Sequence, residues 1–134
     1  MTSISYRVPY ADTDQMGVVY YANYLVWFER CRNEMLRDAG LPYTRLEAEG
    51  VMLPVVEAHC DYRIPARYDD LLSITAAVEK IEGCRIRIVN TVVNQAGQQI
   101  AKGYTVHCFM SASSRKPIRP PDSLLAAFGW TGEI

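Results

Sequence analysis

The sequence predicts an α+β fold in which an antiparallel β-sheet wraps around one long helix. Residues 22–39 are the only stretch whose apolar positions recur at helical spacing over several turns. From Val51 to Ser111, alternation and β-branched residues dominate instead. The breaks between these strands are short enough for antiparallel hairpins, and one face of such a sheet needs a helix as cover.

The elements follow in order. Ser3 to Tyr10 alternates loosely around Ile4, Tyr6 and Val8 and reads as a first strand, with Pro9 suggesting an edge or an ending. Within Ala22 to Ala39, the residues Tyr24, Leu25, Trp27, Phe28, Cys31, Met35, Leu36 and Ala39 recur at helical spacing as an apolar stripe, with Glu29, Arg30, Arg37 and Asp38 between them. Gly40 stands where a glycine stop belongs, and Pro42 follows two residues later. A short helix over Tyr43 to Glu49 precedes strands expected at Val51–Pro65, Leu71–Ile81, Cys84–Asn94 and Gln98–Ser111. Pro121 to Phe128 opens with Pro-Pro-Asp-Ser, which can begin a short helix.

At 134 residues, one domain spanning 1–134 is expected. Apolar residues at 49% and charged residues at 22% place it among ordinary globular proteins. A formal net charge of −1 supplies no global field for a polyphosphate backbone, so nucleic acid is not an expected partner. Residues 1–10 lack a positive stretch followed by an apolar core, and no apolar run approaches the roughly 18 residues that span a bilayer. A cytoplasmic protein without a membrane span is expected. Cys31, Cys60, Cys84 and Cys108 lie no closer than 24 positions apart, which gives no zinc or redox spacing and reads as reduced thiols.

The densest group of unusual residues lies between the first strand and the helix: Tyr10-Ala-Asp12-Thr-Asp14-Gln-Met-Gly17-Val-Val-Tyr20-Tyr21-Ala-Asn23-Tyr24. An Asp just before a helix lies near backbone N–H groups that have no partner inside the helix. Such donors can hold the oxygen of a carbonyl as it becomes an oxyanion, while the carboxylate attacks the carbon or takes a proton from water. The plain alternative makes Asp12 or Asp14 a capping or turn carboxylate and Gly17 a positive-φ position.

Continued through Leu25-Val-Trp27-Phe28-Glu-Arg, this segment resembles the signature of the 4-hydroxybenzoyl-CoA thioesterase family of hotdog proteins, Asp-x-Asp-x-x-Gly-x-Val-x-x-x-x-Tyr before the long helix. Ile64-Pro-Ala-Arg67-Tyr68-Asp69-Asp70-Leu resembles the family's turn between its second and third strands. The resemblance implies a hotdog fold and hydrolysis of an acyl-CoA, without cofactor or metal, by a homodimer or homotetramer with sites between subunits. It implies that Asp14 is the catalytic carboxylate, as nucleophile or general base. The backbone N–H of Tyr21 would polarise the carbonyl, and Gly17 would let the loop fold close. Tyr21 stands where bacterial short-chain members often carry histidine, which leaves the acyl group open, small or medium, aliphatic or aromatic.

Tyr20, Asn23 and Tyr24 at the helix start are candidate substrate-binding residues. Glu57, His59, Asp61 and Arg63 share one strand face by period two, opposite Val56, Ala58, Cys60, Tyr62 and Ile64. That face is solvated or inter-subunit, and Glu57 and His59 are substrate-binding candidates if the sheet pairs with another subunit. Hotdog hydratases resemble one another in a His five positions after the Asp, and Val19 stands there. No Gly-x-Ser-x-Gly elbow is present, and Cys31 has no evident His partner. The rival reading is a non-catalytic module that binds acyl-CoA or an acyl-carrier protein.

Overall fold

The computed structural model describes residues 1–129; residues 130–134, the end of the expected 1–134 domain, lie outside them. Helix α1 (Asn23–Asp38) buries Tyr24, Trp27, Phe28, Cys31, Met35 and Leu36 of the expected stripe, whereas Leu25 lies exposed at its flank and Ala39, half-buried, caps its end. It ends where glycine lets it end. Gly40 adopts φ +77°, its N–H bonds the Arg37 carbonyl, and the Leu41 N–H reaches back to the Leu36 carbonyl at 2.8 Å. Leu36 and Leu41 pack the resulting corner and are both buried. α2 (Tyr43–Ala48) follows at once, and α3 (Asp122–Ala127) lies near the other end of the chain, burying Leu124 and Leu125.

The strands are β1 (Thr2–Arg7), β2 (Val51–Met52), β3 (Val55–Tyr62), β4 (Leu71–Glu82), β5 (Arg85–Val93), β6 (Gln99–Cys108) and β7 (Met110–Ser111). Five of them form one antiparallel sheet in the order β1-β4-β5-β6-β3, so β1 and β3 are its edges. Ile74, Ile86, Ile88 and Ala101 are buried at every second position, as expected of a sheet face lying under a helix. The α+β reading, an antiparallel sheet around one helix, is borne out.

Four strand boundaries differ from the expectation by more than one residue. The first strand, expected over Ser3 to Tyr10, stops at Arg7, because Pro9 has no N–H to continue the ladder and Tyr10 already opens a 3₁₀ turn. The run Val51–Pro65 is two strands, because Pro54 has no N–H to give and its carbonyl instead takes the Cys108 N–H. The run Gln98–Ser111 breaks opposite it at Phe109, whose N–H leaves the ladder for the Cys84 carbonyl at 2.7 Å. The severed ends, β2 and β7, pair with each other as a separate two-stranded sheet. At the other end of β3, the N–H groups of Arg63 and Ile64 converge on one carbonyl, that of Ile100, and the regular ladder stops at Tyr62.

Gly103 fixes how closely β3, β6 and α1 approach. A Cβ there would overlap the His59 carbonyl oxygen and come within 2.9 Å of the Phe28 ring. Two buried polar groups have local partners. The Cys31 thiol donates to the Ile74 carbonyl at 3.3 Å, and burial pushes its pKa up to about 11, which leaves it an inert thiol. His107 is fully buried, with Nδ1 3.1 Å from the Leu53 carbonyl and Nε2 2.8 Å from the Thr105 hydroxyl. The carbonyl can only accept, so Nδ1 carries the proton and the Thr105 hydroxyl donates to Nε2.

Candidate active site

The loop from Val8 to Ala22 turns twice before α1 begins. Residues Tyr10–Asp12 form a single 3₁₀ turn, held by the Thr13 hydroxyl on the Tyr10 carbonyl at 2.6 Å. A second, tighter turn spans Asp14 to Val18. There the Asp14 N–H bonds the Val18 carbonyl at 2.9 Å, and the Gly17 N–H returns to the Asp14 carbonyl at 3.0 Å. Gly17 stands at φ +78°, a conformation that side chains disfavour. Asp14 Oδ1 accepts the Met16 N–H at 2.8 Å, which orients the carboxylate and leaves Oδ2 without a protein donor among the described residues.

Asp12 is held quite differently. One of its oxygens accepts the Tyr6 hydroxyl at 2.6 Å and faces the Trp27 indole N–H at 3.4 Å. Its carbonyl accepts both the Tyr20 N–H and the Asn23 side-chain amide, each at 2.9 Å. Asp12 therefore ties the loop to β1 and to α1.

Between this loop and the chain after β3 lies a cavity of about 380 Å³. Met16, Val18, Val19, Ile64 and Pro65 supply aliphatic wall, Tyr20, Tyr21, Tyr24 and Tyr62 supply aromatic wall, and Asp14 and Arg63 are its charged groups. The loop docks there through the Val19 N–H on the Ala66 carbonyl at 2.8 Å. The Tyr24 hydroxyl accepts the Ala66 N–H at 3.0 Å, and burial raises the pKa of that phenol. The Tyr62 hydroxyl donates to the Tyr21 carbonyl at 3.0 Å, and the Tyr62 ring meets those of Tyr21 and Tyr24 edge-on at 6.4 and 5.0 Å. Burial pushes the Tyr62 pKa up to about 12, so it remains a donor at neutral pH. The Tyr21 N–H has no acceptor among the described residues. The cavity is thus lined by a carboxylate, by apolar walls, and by a residue just ahead of a helix whose main-chain N–H has no acceptor among the described residues.

The family model of the thioesterase-like superfamily matches residues 8–128, which includes the loop, the helix and every strand around the cavity. This chain belongs to the thioesterase-like superfamily. Among its relatives, YneP of Bacillus subtilis (strain 168) is 37% identical over 84% of this chain and 82% of that protein. The acyl-CoA thioester hydrolase YbgC of Escherichia coli O157:H7 is 34% identical, with 91% of each chain covered. The crystal structure of the hypothetical protein TT1821 from Thermus thermophilus superposes with a TM-score of 0.90 at 32% identity, covering 96% of this chain and 98% of that one. The sheet wrapped around α1 is the hotdog fold.

Within this member of the thioesterase-like superfamily, the candidate residues separate into three groups. Asp14, Tyr20, Tyr21 and Tyr24 all line the cavity. Gly17 and Asn23 do not, since Gly17 turns the loop and Asn23 holds the Asp12 carbonyl. Glu57 and His59 lie on the sheet face turned away from α1, where His59 stacks on Tyr104 at 5.3 Å and faces Asp61 at 3.1 Å. Within one chain they do not join Asp14.

Arg63 was expected on the face of Glu57 and His59 but lines the cavity, because period two ends with the ladder at Tyr62. Tyr62, Val18 and Ile64 were not among the site candidates. The alternation of β3 did place Tyr62 on the face opposite Glu57, but the sequence does not say that the helix leaves that end of the face uncovered.

Proposed function

We propose that this chain hydrolyses acyl-coenzyme A thioesters, with Asp14 as the acting carboxylate and the Tyr21 N–H as donor to the thioester carbonyl oxygen. One juxtaposition supports this reading above all: Asp14 and Tyr21 line the same apolar cavity, and the Tyr21 N–H has no acceptor among the described residues. The carbonyl oxygen gains negative charge as its carbon becomes tetrahedral. A fixed main-chain donor in an apolar site stabilises that charge, and losing one such donor typically costs about a hundred- to a thousandfold in rate.

Asp14 acts by one of two routes. It adds to the carbonyl carbon, expelling the CoA thiolate and leaving a mixed anhydride that water cleaves, or it takes the proton of a water that attacks directly. Either way one water is consumed and the products are the free acid and CoA thiol. The side chain at position 21 takes no part in this hydrogen bond, so a tyrosine there is compatible with it. Tyr20, Tyr24 and the aliphatic wall receive a small or medium acyl group, aliphatic or aromatic, as the volume permits. Arg63, exposed and on the cavity wall, is placed to meet a CoA phosphate. The chemistry needs neither cofactor nor metal. Gly17 and Asn23 serve this site by shaping the loop, and Glu57 and His59 belong to it only through a neighbouring subunit.

The same reading includes a homodimer or homotetramer. β3 is a sheet edge on which Val55, Val56 and Tyr62 are each about half exposed (48–49%). An unpaired edge strand that exposes apolar side chains beside Glu57, His59 and Asp61 favours pairing with another chain. Sedimentation equilibrium is expected to give two or four chain masses, and a monomer throughout the micromolar range contradicts it. A cytoplasmic location fits the four free cysteines.

The activity is tested by thiol release from butyryl-, lauroyl- and benzoyl-CoA with purified protein. Turnover of at least one, at about 1 per second or faster, is expected. Tight binding of all three without thiol release would instead support the non-catalytic module.

A further inference from the structure

We propose that Tyr62 is a positioning residue for the hydrolysis: its hydroxyl, held at 3.0 Å from the Tyr21 carbonyl, fixes the backbone from which the Tyr21 N–H meets the substrate. This rests on the function proposed above. Tyr21 lies in a turn two residues ahead of α1, a region where helix ends fray. The peptide unit that carries its N–H is held on one side by the Asn23 N–H on the Tyr20 carbonyl at 3.0 Å, whereas on the other side the Tyr21 carbonyl takes, from the main chain of the described residues, just the long Tyr24 N–H bond at 3.3 Å. Tyr62, in contrast, is the last paired residue of β3, in register with Ala101. Its hydroxyl thus carries the order of the sheet to the Tyr21 carbonyl, beside the bonds by which Asp12 and Val19 tie the rest of the loop.

Its ring adds a second restraint, edge-on against Tyr21 and Tyr24. A donor aimed at a developing oxyanion must be placed before the charge appears, so looser aim weakens the transition state more than substrate binding. Misplacing a reacting group by about 1 Å costs up to about a hundredfold in rate.

Tyr62→Phe keeps both ring contacts and deletes only the hydroxyl. With whichever of butyryl-, lauroyl- and benzoyl-CoA the parent turns over, kcat is expected to fall about ten- to a hundredfold, with KM within about twofold and the melting temperature within about 3 °C. In an Asp14→Asn background, the infrared carbonyl stretch of bound 13C-labelled benzoyl-CoA is expected to lie below its value in water, and Tyr62→Phe to return part of that shift. Unchanged kcat, a rise in KM alone, a carbonyl stretch indifferent to Tyr62→Phe, or a Phe variant melting more than about 10 °C below the parent would each overturn the proposal, the last by assigning the hydroxyl to folding. A parent that releases thiol and an Asp14→Asn variant that does not would leave the hydrolase reading standing in each of those cases. A parent that releases none from any probe removes both.

Discussion

Asp12 and Asp14 are two positions apart and share a residue type, yet they are held by different neighbours. Tyr6 and Trp27, from β1 and α1, converge on the Asp12 carboxylate, whereas Asp14 is held by the Met16 N–H from its own turn and lies on the cavity wall. Local spacing could not separate the two, because the residues that engage Asp12 are 6 and 15 positions away in sequence. The family resemblance alone singled out Asp14. Tyr62 was out of reach for a related reason, since its role depends on a partner 41 positions away. Histidine offers a residue-scale prediction. Burial, followed by the nearby Arg32 guanidinium, lowers the His107 pKa from 6.5 to about 4. The neutral form is therefore the folded form, and its contribution is fully present above pH 6.5. As pH falls from 6.5 towards 4 the unfolded chain binds the proton first, so stability is lost across that window, by up to about 3 kcal/mol. Urea unfolding at pH 7 and pH 5 should show a drop that shrinks in His107→Asn; equal losses in parent and variant would contradict this.

At the scale of elements, periodicity located α1 and the four long strand runs because each buries one face, and burial imposes its period on the sequence. It failed where the chain leaves its ladder for a reason that is not periodic. Pro54 splits the run Val51–Pro65, and Phe109 leaves β6 to bond the Cys84 carbonyl. Gly103 is similar, an unremarkable glycine within an alternating strand whose hydrogen atom faces the His59 carbonyl and the Phe28 ring. Gly103→Ala forces β3 or α1 outward, and overpacking of this kind costs about 1–3 kcal/mol, with more expected where a backbone atom is struck. For a domain of this size that corresponds to a fall in melting temperature of at least several degrees. A Gly103→Ala variant melting with the parent would show that the strand and helix are not in the close contact described.

For the whole molecule, one architectural fact organises the chemistry: a sheet curled around a single helix leaves the start of that helix at the mouth of a cavity. The loop before α1 brings Asp14 there, the end of β3 brings Tyr62 and Arg63, and α1 itself brings Tyr24. The fold was legible in the sequence since it follows from one amphipathic helix and a series of hairpins. The far wall of the cavity was not, because it depends on where β3 stops, which is decided by two N–H groups sharing the Ile100 carbonyl. Residue identity and position meet most directly at Asp14. Asp14→Asn retains the size and the Met16 contact of the side chain while removing its charge, so the fold should survive. Thiol release at saturating acyl-CoA is expected to fall at least a hundredfold with the melting temperature unchanged; turnover within a few-fold of the parent would contradict the assignment of Asp14 as the acting carboxylate.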